Sequence, residues 1–155
     1  MVYKRVLLKL SGEALAGDKK SGIYDPKVLS AILNFVKSFR HHQKWEIGIV
    51  VGAGNIWRGK NAELIGFDPA AADYMGMTAT FLNSLALKDY FTQNDLPAVV
   101  LNAFAVEGLA EKTSPELAKK HLAKGEVVIF GGGTGKPFYT TDTGAALRAI
   151  DMNAD

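Results

Sequence analysis

Short apolar runs alternate along this chain with longer stretches in which apolar residues recur every three or four positions. Residues 4–10 form the first run, and the consecutive Val6-Leu7-Leu8 predicts a strand buried on both faces, as in a parallel sheet. Ser11-Gly12-Glu13 breaks it. Asp25 and Pro26 supply the N-cap and first position of a helix in which Val28, Leu29, Ile32, Leu33, Val36 and Phe39 share one face. Lys37, Arg40, His41 and His42 suit its C-terminus. Residues 45–51 read as the second strand. Asp68-Pro69 opens a long helix to about Thr92, and residues 97–101 are the third strand. Ser114-Pro115-Glu116-Leu117 starts a short helix that ends at Lys124-Gly125. Val127-Val128-Ile129-Phe130 is the fourth strand. A last helix runs from Asp142 to about Met152, with Ala145, Ala146, Leu147, Ala149 and Ile150 as its expected apolar face. Four strand–helix alternations predict an α/β fold with a mostly parallel sheet sandwiched by helices.

Composition narrows the class. At 155 residues the chain is long enough for one domain with a real core, and 48% hydrophobic with 22% charged residues is a soluble globular balance. A net charge of +2, spread along the chain, gives no footprint for nucleic acid. No apolar run approaches the length of a membrane span. Cysteine is absent, which removes disulfides, thiolate catalysis and Cys-ligated metals; with no signal peptide visible, the cytoplasm is expected. His41-His42 are adjacent helical positions that do not face each other, so they read as solvated rather than as a metal pair.

The candidate chemistry lies where strands end. After the fourth strand come Gly131-Gly132-Gly133-Thr134-Gly135-Lys136 and then Thr140-Thr141-Asp142, residue types that cap a helix. Such a strand–loop–helix junction presents backbone N–H groups and a helix N-terminus to an anion. It is not the phosphate loop of P-loop enzymes, because position 130 is Phe and Lys136 is followed by Pro137. Nor does it match the dinucleotide fingerprint, since the sixth residue from Gly131 is Lys136. The second strand ends in Gly52-Ala53-Gly54-Asn55 with Arg58 shortly after, and Arg can grip a phosphate bidentately. Lys9 stands at the end of the first strand beside Ser11-Gly12. Each feature also has a plain reading: a glycine turn, a surface Arg, a solvated Lys, and an Asp73 that only complements a helix dipole. If the three strands are neighbours, their loops converge on one edge of the sheet, where α/β proteins bind ligands.

Four blocks then carry a resemblance: Lys9-Leu10-Ser11-Gly12-Glu13, Gly52-Ala53-Gly54-Asn55-Ile56-Trp57-Arg58-Gly59, Asp73-Tyr74-Met75-Gly76-Met77, and Thr134-Gly135-Lys136-Pro137-Phe138-Tyr139-Thr140-Thr141-Asp142. In order and content they resemble the bacterial UMP kinases of the amino-acid-kinase fold, over the whole chain. The resemblance implies transfer of the γ-phosphoryl group of ATP to UMP, with Mg²⁺ accompanying ATP and no metal held by the protein alone. It implies that Lys9, Arg58 and Asp142 are catalytic. Lys9, Leu10, Ser11, Gly12, Gly54 and Arg58 are expected to meet ATP. Gly52, Ala53, Asp73, Thr134, Gly135, Lys136, Pro137, Phe138, Tyr139, Thr140 and Thr141 are expected to meet UMP, with Asp73 on the ribose. Gly17, Asp18, Lys19, Lys20, Ser21 and Gly22 fall where the family responds to GTP as activator, with UTP as inhibitor of a homohexamer.

The chain departs from the family pattern in three ways. Ala53 stands inside a triplet that is otherwise glycine and gives up ready access to positive φ. Lys136 occupies a position where Asn is common. The family also continues well beyond the equivalent of Asp155, so the resemblance implies an amino-terminal, UMP-binding part without the adenine-binding portion. A polypeptide of this length is expected to be inactive alone. A non-catalytic oxyanion-binding protein of the same fold, or a kinase of the same family acting on a carboxylate, are the alternative readings.

Overall fold

A computed structural model describes residues 3–18, 22–59 and 65–155. Five strands form one parallel sheet: β1 (Arg5–Leu10), β2 (Glu46–Val51), β3 (Ala98–Asn102), β4 (Glu111–Lys112) and β5 (Val127–Gly131), in the order β1-β2-β5-β3-β4. The helices among the described residues are α1 (Gly12–Leu15), α2 (Pro26–Gln43), α3 (Pro69–Gln93), α4 (Pro115–Ala123) and α5 (Thr141–Met152). The α/β class and mostly parallel sheet expected from the pattern are therefore present.

Alternating side chains of the inner strands feed two cores, one on each face of the sheet. Val127 and Ile129 of β5 join Leu33, Val36, Ile49, Phe81 and Phe91 on the side covered by α2 and α3. Val128 and Phe130 join Val50, Leu101, Leu122 and Met152 on the side of α4 and α5. Double-sided burial is why β2 and β5 read as unbroken apolar runs. Strand β1 does not reach that state. Its residues are mostly half-buried, because it has β2 on one side and an open flank on the other. Gly48 in β2 makes room for α5: a Cβ there would press on the Met152 thioether at 2.6 Å.

The helix starts follow the capping chemistry in the sequence. Asp25 accepts from the Lys27 N–H at 2.8 Å, Asp68 from Ala71 at 2.9 Å, Ser114 from Leu117 at 3.2 Å and Thr140 from Thr143 at 3.1 Å. Each of the first three is followed by Pro at the first helical position.

Three expectations need correction. Ser11-Gly12-Glu13 does not only break the strand; it enters the single-turn α1. Strand β4 is additional, and its two residues are charged and exposed, so no apolar run marks it. The packed side of α5 is Gly144, Ala145 and Met152, whereas Ala146, Leu147 and Ile150 face outward, with Ile150 72% exposed. Anchoring of α5 by Met152 over Gly48 rotates those three positions away from the sheet.

Candidate active site

The sheet order makes β1, β2 and β5 consecutive neighbours. In register, Lys9 lies beside Val50 and Val50 beside Phe130. The Lys9 turn, the Gly52–Ala53–Gly54 loop and the glycine loop after β5 thus leave the same edge of the sheet side by side, as the convergence argument required.

Between the last two loops and α3 lies a cleft of about 280 Å³. Ala53 and Gly54 form one wall, Asp73 and Gly76 of α3 a second, and Thr134, Lys136, Tyr139, Thr140 and Thr141 a third. The closing helix α5 starts at this third wall, so its N-terminal N–H groups and dipole belong to the site. Gly76 keeps α3 thin where the Trp57 indole packs, its hypothetical Cβ lying 3.4 Å from the ring.

Lys9 and Asp142 form an ion pair, Nζ to Oδ1 at 3.1 Å, joining the end of β1 to the first turn of α5. Both remain solvent-accessible, at 44% and 78% of the side chain. Arg58 pairs with Glu13 at 3.0 Å, and its Nε donates to the Gly54 carbonyl at 3.3 Å. Arg58 lines a separate hollow with Glu13, Gly54 and Asn55, next to the main cleft at Gly54. A phosphate at Arg58 must therefore share or displace Glu13, a partner the sequence motif did not assign.

Asp73 reaches across the cleft. Its Oδ2 accepts the Phe138 N–H at 2.6 Å and so holds the far loop to α3. Phe138 has φ +69 with a 72% exposed ring, an unfavourable backbone for an aromatic residue that the Asp73 bond helps to maintain. Thr134 closes the tip of that loop on itself: its hydroxyl donates to the Lys136 carbonyl at 3.0 Å and accepts the Lys136 N–H at 3.2 Å. The backbone of Lys136 is consumed in this turn, and its side chain lines the cleft.

The other expected residues shape the site from behind. Gly12 sits against Gly52 so closely that any Cβ would collide with the Gly52 carbonyl. Gly132, at φ +73, could carry no side chain either, because Asn102 Oδ1 lies 2.6 Å from where its Cβ would be. Ala53 is not at positive φ, so alanine sits there without strain. Gly135 turns the loop at φ +78, and its N–H bonds the Gly132 carbonyl at 3.0 Å. Leu10 and Ser11 carry the chain from β1 into α1. Gly17 and Asp18 follow α1 and Gly22 is exposed; Lys19, Lys20 and Ser21 lie outside the described residues. Among the described residues no group of three His, Asp or Glu side chains could hold a metal ion, and no helix is long and apolar enough to cross a membrane.

Motif reading missed two residues of α3, Thr80, which also lines the cleft, and Asn83 behind the Gly52 loop. Thr80 of α3 accepts the Gly132 N–H at 3.0 Å, and Asn83 donates to the Gly52 carbonyl at 2.7 Å. The available signal was polar residues recurring three and four apart, Thr80, Asn83 and Ser84, among the apolar Met77, Ala79, Phe81 and Leu87 of the same helix.

An open parallel sheet whose glycine loops, helix N-terminus and two cations meet at one edge is an α/β arrangement of the kind suited to an anion. Residues 4–155 match the model of the amino acid kinase family, and the chain belongs to that family. It is similar over 100% of its length to the UMP kinase of Bacillus anthracis, at 41% identity with a TM-score of 0.93, covering 63% of that protein. It is similar over 99% of its length to the UMP kinase of Ureaplasma parvum, at 35% identity and TM-score 0.90, covering 64% of that protein. The aspartate kinase of Synechocystis shares the fold at 17% identity and TM-score 0.64. The chain thus spans somewhat less than two thirds of the length of the UMP kinases it resembles.

Proposed function

We propose that this chain forms the acceptor-binding part of a cytoplasmic UMP kinase. The observation that carries the proposal is the Lys9–Asp142 pair beside a cleft whose walls are Ala53-Gly54, Asp73 and the 134–141 loop. In the reaction, an oxygen of the UMP phosphate attacks the γ-phosphorus of ATP. The bond from that phosphorus to the bridging oxygen breaks, giving UDP and ADP. The attacking oxygen is already ionised, so no protein base is needed. The protein's task is positioning and charge neutralisation.

Lys9 is the point charge for the transferred group, and Asp142 fixes its ammonium. Arg58 meets phosphate after sharing or releasing Glu13. Asp73 uses one oxygen on Phe138, which leaves the other for a ribose hydroxyl. Thr134, Tyr139, Thr140 and Thr141 surround the nucleotide. Mg²⁺ keeps most of its waters and binds through phosphates with one or two carboxylates. Asp142, 78% exposed with one oxygen on Lys9, fits as the carboxylate that would hold such waters. The ion, when bound, would neutralise charge on the phosphates. GTP activation, UTP inhibition and a homohexamer belong to the same proposal for the whole protein.

A coupled assay of the whole protein with UMP, CMP and glutamate as acceptors tests this reading. UMP as the preferred acceptor is the expected result. Turnover of glutamate alone would transfer the chain to a carboxylate-kinase role, and phosphate binding without turnover would make it a binding protein.

A further inference from the structure

One face of α3 touches both glycine loops. Asp73 holds Phe138, Thr80 holds the Gly132 N–H two turns further on, and Asn83 holds the Gly52 carbonyl. The last two are fully or almost fully buried, at 7% and 0% exposure, as is their neighbour Ser84 at 0%. Buried polar groups in a helix that packs on a sheet are unfavourable unless bonded, each unmet one costing about 1–3 kcal/mol. These are fully engaged. Thr80 Oγ1 donates to the Met77 carbonyl at 2.7 Å while accepting from Gly132, and Ser84 Oγ donates to the Thr80 carbonyl at 2.9 Å. Asn83 donates to Gly52 and to Asn55 Oδ1 at 2.8 Å, and its own oxygen accepts from Asn55 Nδ2 at 3.1 Å.

We propose that Thr80 and Asn83 are positioning residues, which set the peptide planes of the two ligand loops from a single rigid helix. The argument is geometric. In a trans peptide the C=O and the following N–H point to opposite sides of the chain. Asn83 turns the Gly52 carbonyl back toward α3, so the Ala53 N–H is turned away from α3. Ala53 is a cleft residue. Thr80 holds the Gly132 N–H, and the Gly131 carbonyl of the same peptide accepts from Ala103 at 3.0 Å, so that plane is fixed at both ends. The glycine loop departs from this fixed plane toward Thr134. A loop of glycines is otherwise the most freely rotating backbone in the molecule, and an anion site built on it requires such an external constraint.

This inference rests on the kinase reading for its kinetic arm only. In the whole protein, Thr80→Val should raise the KM for UMP about tenfold with kcat within about threefold, and Thr80→Ser should restore it. Asn83→Leu should lower kcat about tenfold, with a smaller change in KM, because the Gly52 loop lies between Lys9 and Arg58. The second arm is amide hydrogen exchange: Gly132 should exchange at least about tenfold faster in Thr80→Val while Ile129 in β5 stays protected. If valine does not fold, Thr80→Ala takes its place. Unchanged Gly132 exchange overturns the proposal, as does a loss confined to Tm with KM and kcat per folded enzyme unaltered. A wild-type protein that ignores UMP removes the kinase reading alone, and the Gly132 exchange then decides the positioning role.

Discussion

Replacing Lys9 by alanine separates what this residue does for the fold from what the kinase reading assigns to it in the reaction. The Lys9–Asp142 contact of 3.1 Å joins two accessible side chains. At that distance in bulk water the attraction is about 1.3 kcal/mol before screening and side-chain ordering, and exposed pairs measure about 0.2–1 kcal/mol. Lys9→Ala should therefore change the unfolding free energy by less than about 1 kcal/mol. A phosphoryl group in transfer is a different partner. With ATP bound and water displaced, an effective dielectric near 20 gives about 4 kcal/mol for a charge about 4 Å away, or roughly a thousandfold in rate. That stabilisation acts mainly in the transition state, so kcat should fall by about that factor while the KM for UMP changes only a few-fold. The assay is ADP release coupled to NADH oxidation, with a urea melt on the same sample. An alanine variant retaining more than about a tenth of the wild-type kcat would refute the reasoning and return Lys9 to a solvated strand end.

Asp73→Asn keeps an acceptor for the Phe138 N–H but loses the charge; it should weaken UMP binding, and weaken binding of the deoxyribose analogue less, by calorimetry. Equal losses would leave Asp73 with its loop-holding role alone. Asp155 accepts from the Lys4 and Arg5 N–H groups, and these backbone bonds hold its carboxyl below the usual carboxylate range. A carboxylate lowered in the folded state stabilises above its unfolded pKa and ceases to do so as pH falls through the folded one. Asp155→Ala should thus lower Tm at neutral pH, with the gap to wild type narrowing only in acid below about pH 4. A gap that is independent of pH down to acid unfolding would show that the carboxylate's charge does not matter.

The legible part of this protein was the part written in apolar periodicity and in glycine. Strands β2 and β5 announce themselves because both their faces are buried, and α2 because Leu29, Leu33 and Val36 return at helical spacing. Strand β4 has no such signature. Glu111 and Lys112 are exposed, and it is the parallel pairing with Leu101 and Asn102 at the end of β3 that makes them a strand. The outward turn of Leu147 and Ile150 was equally hidden, since an apolar residue on a helix does not state which neighbour it faces. Within the site, the glycine loops were legible at the strand ends, whereas their convergence depended on β1, β2 and β5 being neighbours, which the sheet order supplies. Glu13 and Asn83 did not, because a carboxylate beside an Arg, or an amide inside a helix, acquires its meaning from a partner distant in the chain.

That difference bears on how the cleft works in the kinase reading. Both cations at the strand ends are already paired, Lys9 with Asp142 and Arg58 with Glu13, and all four side chains are at least 44% exposed. Exposed pairs are weak, so each carboxylate can be released to water at little cost when an anion competes for its cation. The two pairs are not equivalent, however. Asp142 is fixed in the first turn of α5, where the helix dipole favours a negative charge even after Lys9 turns to phosphate. Glu13 sits in the single-turn α1, with far less dipole behind it. A phosphate arriving between them should therefore take Lys9 from Asp142 at less cost than it takes Arg58 from Glu13. Asp142 is then left beside the transferred group, as a metal-solvating carboxylate must be, and Glu13 serves as the occupant that keeps Arg58 placed until substrate arrives.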